Sequence, residues 1–330
     1  MSFNPHVTEG RKPRGGFTDI RGHDAAISFL KRSACSGRLA NAYIFCGPGG
    51  IGKKLTALNF AKMVNCLEPN EGLGCDNCSS CKKIDSFNHP DVHLVAPDKK
   101  GASVKIDNIR AIIKDIGLKS YEAKTKFYIV DSADSLTEEA ANALLKTLEE
   151  PSGDSTLILI TENPRRLAPT IRSRCQFVKF LPLDAATVEE ILAVSHNVDR
   201  VKARVLAKIS CGRVSEALEL NDEDYFNKRE HIIKTLLSRT LSDLEFDKVS
   251  KVDMKAILNI MLTWYRDILA AKAGGQDFVN IDKRDLVLIE AGKTGFEKLD
   301  NLLKGIISTQ GYLDQNANPK LAMTALGLML

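Results

Sequence analysis

The sequence predicts an α/β core built on a five-stranded parallel sheet, followed by all-helical segments. Three observations predict it. Short apolar runs alternate with helix-period stretches through the first half, the first of these runs empties into a glycine-rich turn, and strand signals nearly vanish beyond Pro182. Strands separated by helices cannot pair as hairpins; they form a parallel sheet covered on both faces.

At 330 residues the chain has room for two or three domains, and 44% hydrophobic with 27% charged residues describes an ordinary globular protein. The 46 basic and 42 acidic residues nearly cancel, so any nucleic-acid surface must be local. The first residues lack the charged and apolar regions of a signal peptide. No apolar run approaches the roughly 20 residues of a membrane span. Four of eight cysteines cluster at metal-ligand spacing and the rest are scattered. That pattern suits a reducing cytoplasm better than a disulfide framework, and no membrane partner is expected.

Residues 1–16 read as a polar arm, and Phe17 to Ser36 as an amphipathic helix presenting Ala25, Ile27, Leu30 and Ala34. Ala42–Phe45 is the first strand. It leads into Gly47-Pro48-Gly49-Gly50-Ile51-Gly52-Lys53-Lys54, the strand–turn–helix context of a Walker A phosphate loop. Gly47, Gly49, Gly50 and Gly52 supply the backbone freedom, and Lys53 stands where a lysine reaches the β- and γ-phosphates. Lys54 occupies the position of the Ser or Thr whose hydroxyl holds Mg²⁺, and an ammonium repels a divalent cation. The loop is present without its metal ligand, and the residues leave open whether ATP or ADP occupies it. The bland alternative is a glycine-rich turn that binds nothing.

A helix from Gly52 to Asn65 precedes Cys66-x8-Cys75-x2-Cys78-x2-Cys81. Four thiolates at this spacing close a tetrahedron around structural zinc, with Gly72 and Gly74 folding the first ligand back and Lys62, Lys82 and Lys83 offsetting the charge. An iron–sulfur cluster is the rival metal, but the Cys-Pro ending of ferredoxin motifs is missing. Unliganded thiols are the plain alternative.

Asp91–Val95 is a second strand, Pro97–Gly101 a turn and Ile106–Leu118 a helix. Lys126–Val130 is a third strand ending on Asp131, the shape of a Walker B motif whose acid supports Mg²⁺; the next residue is Ser132, not a water-activating Glu. Thr137–Glu150 is a helix striped by Ala140, Leu144 and Leu148 and stopped by Pro151. Thr156–Thr161 is the fourth strand. Thr161 is placed to sense a γ-phosphate, and is equally an ordinary β-branched strand residue. A short helix leads to Ser173-Arg174-Cys175, and Gln176–Phe180 is the fifth strand. Residues 183–220 suit three short helices, Thr187–Val194, Arg200–Ile209 and Val214–Leu220. A polar linker, 221–224, precedes a helical C-terminal third with the single tryptophan, Trp264, and an apolar terminal helix over Leu321–Leu330.

Four blocks follow one another in order: Asn41-Ala42-Tyr43-Ile44-Phe45 with its loop, the four-cysteine module, Ala141-Asn142-Ala143-Leu144-Leu145-Lys146-Thr147-Leu148-Glu149-Glu150-Pro151, and Thr170-Ile171-Arg172-Ser173-Arg174-Cys175. Together they resemble the AAA+ clamp-loader family of bacterial DNA polymerase III over essentially the whole chain, and within it the delta-prime type. The resemblance implies an AAA+ core over residues 1–182 with a zinc module at about 66–81, a helical lid over 183–221 and a helical collar domain over 222–330. It implies a hetero-pentamer with gamma/tau-type and delta-type subunits that opens the sliding clamp and places it on primed DNA. In that setting the chain is a subunit of a DNA-directed DNA polymerase holoenzyme, with no polymerase and little or no ATPase activity of its own.

Departures from the family's motor subunits point the same way. Lys54, Ser132 and, by register from Gly212, Ser215 stand where the motors carry Thr or Ser, Glu and the lid arginine, and Arg213 lies two positions early. Arg174 of the Ser-Arg-Cys motif is retained, and the resemblance makes it a catalytic arginine finger reaching a neighbour's ATP site. Two other readings compete. A gamma/tau-type motor predicts Mg²⁺-dependent turnover at this chain's own loop. A zinc-dependent nucleic-acid binder predicts tight, salt-sensitive DNA binding by the isolated chain, for which the cysteine module offers few aromatics and only scattered lysines.

Overall fold

The computed structural model describes residues 20–70, 73–97, 102–150, 154–238, 251–315 and 317–327. The N-terminal arm, Gly72, the turn residues 98–101 and Pro151 lie outside them. The chain divides into two compact units, Met1–Thr187 with Gly212–Ser215, and Val188–Cys211 with Glu216–Leu330.

In chain order the first unit contains α1 (Asp24–Cys35), β1 (Ala42–Cys46), α2 (Lys53–Asn65), α3 (Ser79–Asp85), β2 (Val92–Val95), α4 (Ile106–Ile116), β3 (Lys126–Val130), α5 (Glu138–Glu149), β4 (Ser155–Thr161), α6 (Pro169–Arg172) and β5 (Gln176–Lys179). All five strands are parallel, in the order β2-β3-β4-β1-β5. The chain leaves β1, an interior strand next to β5, and next returns at the far β2 edge. That reversal of strand order is the switch point at which α/β sheets place a ligand crevice, beyond the strands' C-terminal ends. The sheet's side chains alternate as the strand period dictates. Tyr43, Phe45, Phe127, Ile129, Ile158 and Ile160 face α1 and α2. Ala42, Ile44, Tyr128, Val130, Leu157 and Leu159 face α4 and α5.

The helix expected over Phe17 to Ser36 starts later, at Asp24. Gly22 and His23 both take left-handed backbone conformations, with φ of 71° and 59°, which a right-handed helix cannot include. The start also rotates the buried face, which carries Ala26, Ile27 and Leu30 while Ala25 is exposed. Helix α3 has no counterpart in the sequence reading.

The three short helices past β5 are present as α7 (Ala185–Glu190), which continues as a π-helical turn over Ile191–Ser195, α8 (Arg200–Ile209) and α9 (Val214–Glu219). Only Asn221 and Asp222 of the expected linker lie outside a helix, because α10 (Glu223–Ser238) opens with Glu223 and Asp224 in its first turn, where acids complement the helix dipole. The second unit's core gathers α10, α11 (Lys251–Lys272), α12 (Arg284–Lys293), α13 (Phe296–Asp314) and α14 (Pro319–Gly327), with Trp264 of α11 fully buried. The terminal helix is only partly buried: Leu326 is enclosed and Leu321 exposed. Among the described residues no helix is long and apolar enough to cross a membrane.

Candidate functional site

The parallel sheet brings three C-terminal strand ends together. Cys46 pairs in register with Thr161, and the Gly47 amide donates to the Thr161 carbonyl at 3.3 Å, so the phosphate loop starts beside the end of β4. Gly47, Gly50 and Gly52 have φ of 152°, 72° and 100°, angles that L side chains rarely adopt. A methyl on Gly47 would strike the Phe180 carbonyl oxygen. Gly49 has no unusual φ; a methyl there would meet only the Glu162 carboxylate, the movable end of a flexible side chain.

Lys53, the first residue of α2, is buried and folded onto the loop itself. Its Nζ donates to the carbonyls of Gly47 at 2.6 Å and Pro48 at 2.5 Å. Burial lowers its pKa, and the nearby carboxylates of Glu162, Asp131 and Asp134 work the other way. Lys54 Nζ lies 3.5 Å from Asp131 Oδ2. The acid in the Walker B position therefore meets an ammonium from the Walker A position. The other oxygen of Asp131 accepts the Ser132 amide at 2.9 Å. Thr161 is buried at the end of β4, and its hydroxyl oxygen accepts the Asn163 amide at 3.1 Å, a turn contact typical of an ordinary strand-end threonine.

Two groups near the loop, Glu162 and His23, gave no motif signal, and Ser215 gave one only by its register from Gly212. Glu162 follows Thr161 and packs on Gly49, and its amide donates to Asp134 at 3.4 Å. His23 Nε2 donates to the Ile51 carbonyl at 2.8 Å, and burial lowers this imidazole's pKa. Ser215 donates its amide to Gly50 O at 3.1 Å, which places position 215, counted from Gly212, directly against the loop. Gly212 is fixed by its φ of 84° and by the Leu183 backbone, which a methyl would strike.

The cysteine module is assembled from the end of α2 and the start of α3. Cys66 is the residue at which α2 ends, and Cys78 caps α3 by accepting the Cys81 amide at 3.5 Å. The four Sγ atoms of Cys66, Cys75, Cys78 and Cys81 lie within 4.8 Å of one another, and those of Cys66 and Cys78 are 3.9 Å apart. A tetrahedral zinc with Zn–S of about 2.3 Å sets sulfurs about 3.8 Å apart, so the cluster fits that ion. Amides of Cys75 and Cys78 also point at the sulfurs of Cys66 and Cys75, each at 3.3 Å. Burial opposes ionisation of Cys78, but the amides of Cys81 and Leu67 and the adjoining thiols bring it down to about 6. Gly74 serves close approach, because a Cβ there would stand 3.0 Å from Lys62 Cβ. The buried ammonium of Lys62 is paired with Asp76 at 2.8 Å and Asp85 at 2.5 Å. Lys83 is likewise paired with Glu122 at 2.6 Å.

Arg174, the middle residue of the Ser-Arg-Cys motif, follows α6. Its guanidinium meets Glu149 Oε1 at 2.7 Å, the Thr170 carbonyl at 3.0 Å and Ser173 Oγ at 3.3 Å. The neighbouring Cys175 thiol is pushed up to about 12 by burial, which makes it a packing residue rather than a nucleophile.

The fold and loop define an AAA+ P-loop core in which Lys54 and Ser132 occupy two of the motif positions. A family model described as DNA polymerase III, delta subunit, matches residues 22–184, and one described as DNA polymerase III, delta subunit, C terminal, matches residues 223–329. The DNA polymerase III subunit delta' of Bacillus subtilis is 36% identical over 317 residues, covering 92% of this chain and 94% of its own. The Escherichia coli subunit delta' is 26% identical over 277 residues, covering 83% of each. The Haemophilus influenzae subunit tau/gamma is 30% identical over 234 residues, covering 69% of this chain and 34% of its own. The chain belongs to the DNA polymerase III delta-prime subunit family.

Proposed function

We propose that this chain acts as a non-hydrolysing subunit of the DNA polymerase III clamp loader, lending Arg174 to the ATP site of a gamma/tau-type neighbour. Its partners on this reading are gamma/tau-type and delta-type subunits in a hetero-pentamer, the sliding clamp, and primed DNA through the complex. Residues 183–221 serve as lid and 222–330 as collar, and the cysteine module holds a structural zinc.

The observation that carries the reading is the Lys54–Asp131 pair, in which an ammonium stands beside the acid that would support Mg²⁺. Ser132 lacks a carboxylate to activate water, and Glu162 sets a negative charge against Gly49, where a polyphosphate would have to approach. The loop survives as a structural turn while the arginine of the Ser-Arg-Cys motif stands accessible at the surface. Its planar, permanent charge suits the charge that develops on a transferring phosphoryl group.

The test is Arg174→Ala in the reconstituted complex. Clamp- and DNA-stimulated ATP hydrolysis is expected to fall by roughly 10- to 1,000-fold, below the ~10³–10⁵ of isolated arginine fingers because other sites still turn over. Assembly and thermal stability should persist, since a partly exposed ion pair is worth about 0–1 kcal/mol. Unchanged hydrolysis with impaired assembly would refute the reading.

A further inference from the structure

We infer that Glu149 is the positioning residue of Arg174, its ion pair holding the guanidinium ready for a neighbour's phosphate. The inference rests on the trans-acting role proposed for Arg174.

Arginine carries five N–H donors in a rigid fork. Here Nη2 lies 2.7 Å from Glu149 Oε1 as an ion pair, and Nη1 donates to the Thr170 carbonyl at 3.0 Å and Ser173 Oγ at 3.3 Å. Among the described residues, Nε–H has no hydrogen-bond partner. The group is held through its Nη atoms while Nε–H stays available to a phosphate oxygen.

The holders are rigid. Thr170 O also accepts the Ser173 hydroxyl at 3.0 Å, and the Arg174 amide donates to Ile171 O at 3.1 Å, so the turn after α6 is tied before the side chain leaves it. Glu149 is the last helical residue of α5, whose Leu144 and Leu148 are buried beside Ile171 of α6 in one core cluster. The carbonyl end of α5 also favours a cation. Fixing a long side chain beforehand lowers the entropy lost when it engages a ligand. Glu150, the adjacent acid, makes no such pair among the described residues.

The experiment compares reconstituted complexes carrying this chain as wild type, Glu149→Gln, Glu149→Asp, Arg174→Ala and Arg174→Ala with Glu149→Gln, reading kcat and KM for ATP and the melting temperature of the chain. Glu149→Gln is expected to lower kcat roughly threefold to fivefold, about the weight of a partly exposed ion pair, with KM and melting temperature unchanged. Glu149→Asp should recover part of the loss, and the double variant should match Arg174→Ala alone, because Glu149 acts only through the arginine. Loss from Arg174→Ala without loss from Glu149→Gln overturns the positioning role and leaves the finger standing. No loss from Arg174→Ala removes the finger, and this inference with it. A faster Glu149→Gln complex would mean the acid restrains the arginine, which also overturns the proposal.

Discussion

Lys54 Nζ stands 3.5 Å from Asp131 Oδ2, so two residues 77 positions apart meet between the end of the phosphate loop and the end of the third strand. Removing the ammonium should restore what its charge excludes. Lys54→Thr is expected to tighten ATP binding at least about tenfold in the presence of Mg²⁺ over its absence, as read by isothermal titration, whereas the wild type shows no such gain. Adding Glu162→Ala should tighten it further by removing the carboxylate against Gly49. Hydrolysis should stay at background in both, because position 132 still lacks a general base, typically worth ~10²–10⁴-fold. Binding that ignores Mg²⁺ in Lys54→Thr would show that the ion pair is not what bars the metal.

The loop's glycines should matter for folding even without nucleotide. Gly47 combines a φ of 152° with the Phe180 carbonyl in the path of any side chain, while Gly52, at φ 100°, faces open space. Gly47→Ala is expected to cost about 2–4 kcal/mol, from backbone strain plus a clash with fixed backbone, and Gly52→Ala about 1–2 kcal/mol from strain alone. Thermal unfolding without ligand measures both, and equal losses would contradict the close approach.

Metal analysis of carefully reduced protein should find one zinc per chain. Stripping it with a chelator is expected to raise amide exchange across residues 66–81 while exchange in β1, β3 and β4 stays slow, since those strands are buried independently of the cysteines. Iron, or zinc well below one equivalent, would speak against the tetrahedral site.

Acid sensitivity should trace in part to Asp91. Burial pushes this carboxyl up, but amides of Glu122, Tyr121 and Ala123 at 2.7–2.8 Å outweigh that and leave it below its ordinary value. A depressed folded pKa gives stability that is full above the unfolded value of about 3.9 and is lost as pH falls through the lower folded value. Asp91→Asn cannot satisfy three donors with one carbonyl oxygen. It should cost about 2–3 kcal/mol at neutral pH and flatten the acid limb of the stability curve, as followed by denaturant unfolding from pH 7 to pH 3.

Much of the core was legible because its signals are local. Buried parallel strands are unbroken apolar runs, as at Phe127–Val130 and Leu157–Ile160, and the loop and four-cysteine spacings are written in contiguous residues. Local signals failed where a short segment obeys its surroundings. The reversal at Gly22 and His23 delays α1, and the seven residues of α3 follow the geometry of the cysteines rather than an apolar period. The sequence by itself determined the strands, the glycine-rich loop and the four-cysteine cluster. Only the tertiary structure decided that Lys54 meets Asp131, that Glu162 lies on Gly49, that Ser215 touches Gly50 and that Glu149, not Glu150, holds Arg174. The reason is that strand order and helix packing set which distant positions become neighbours. Charge at any one position says nothing about its partner until β1, β3 and β4 end side by side.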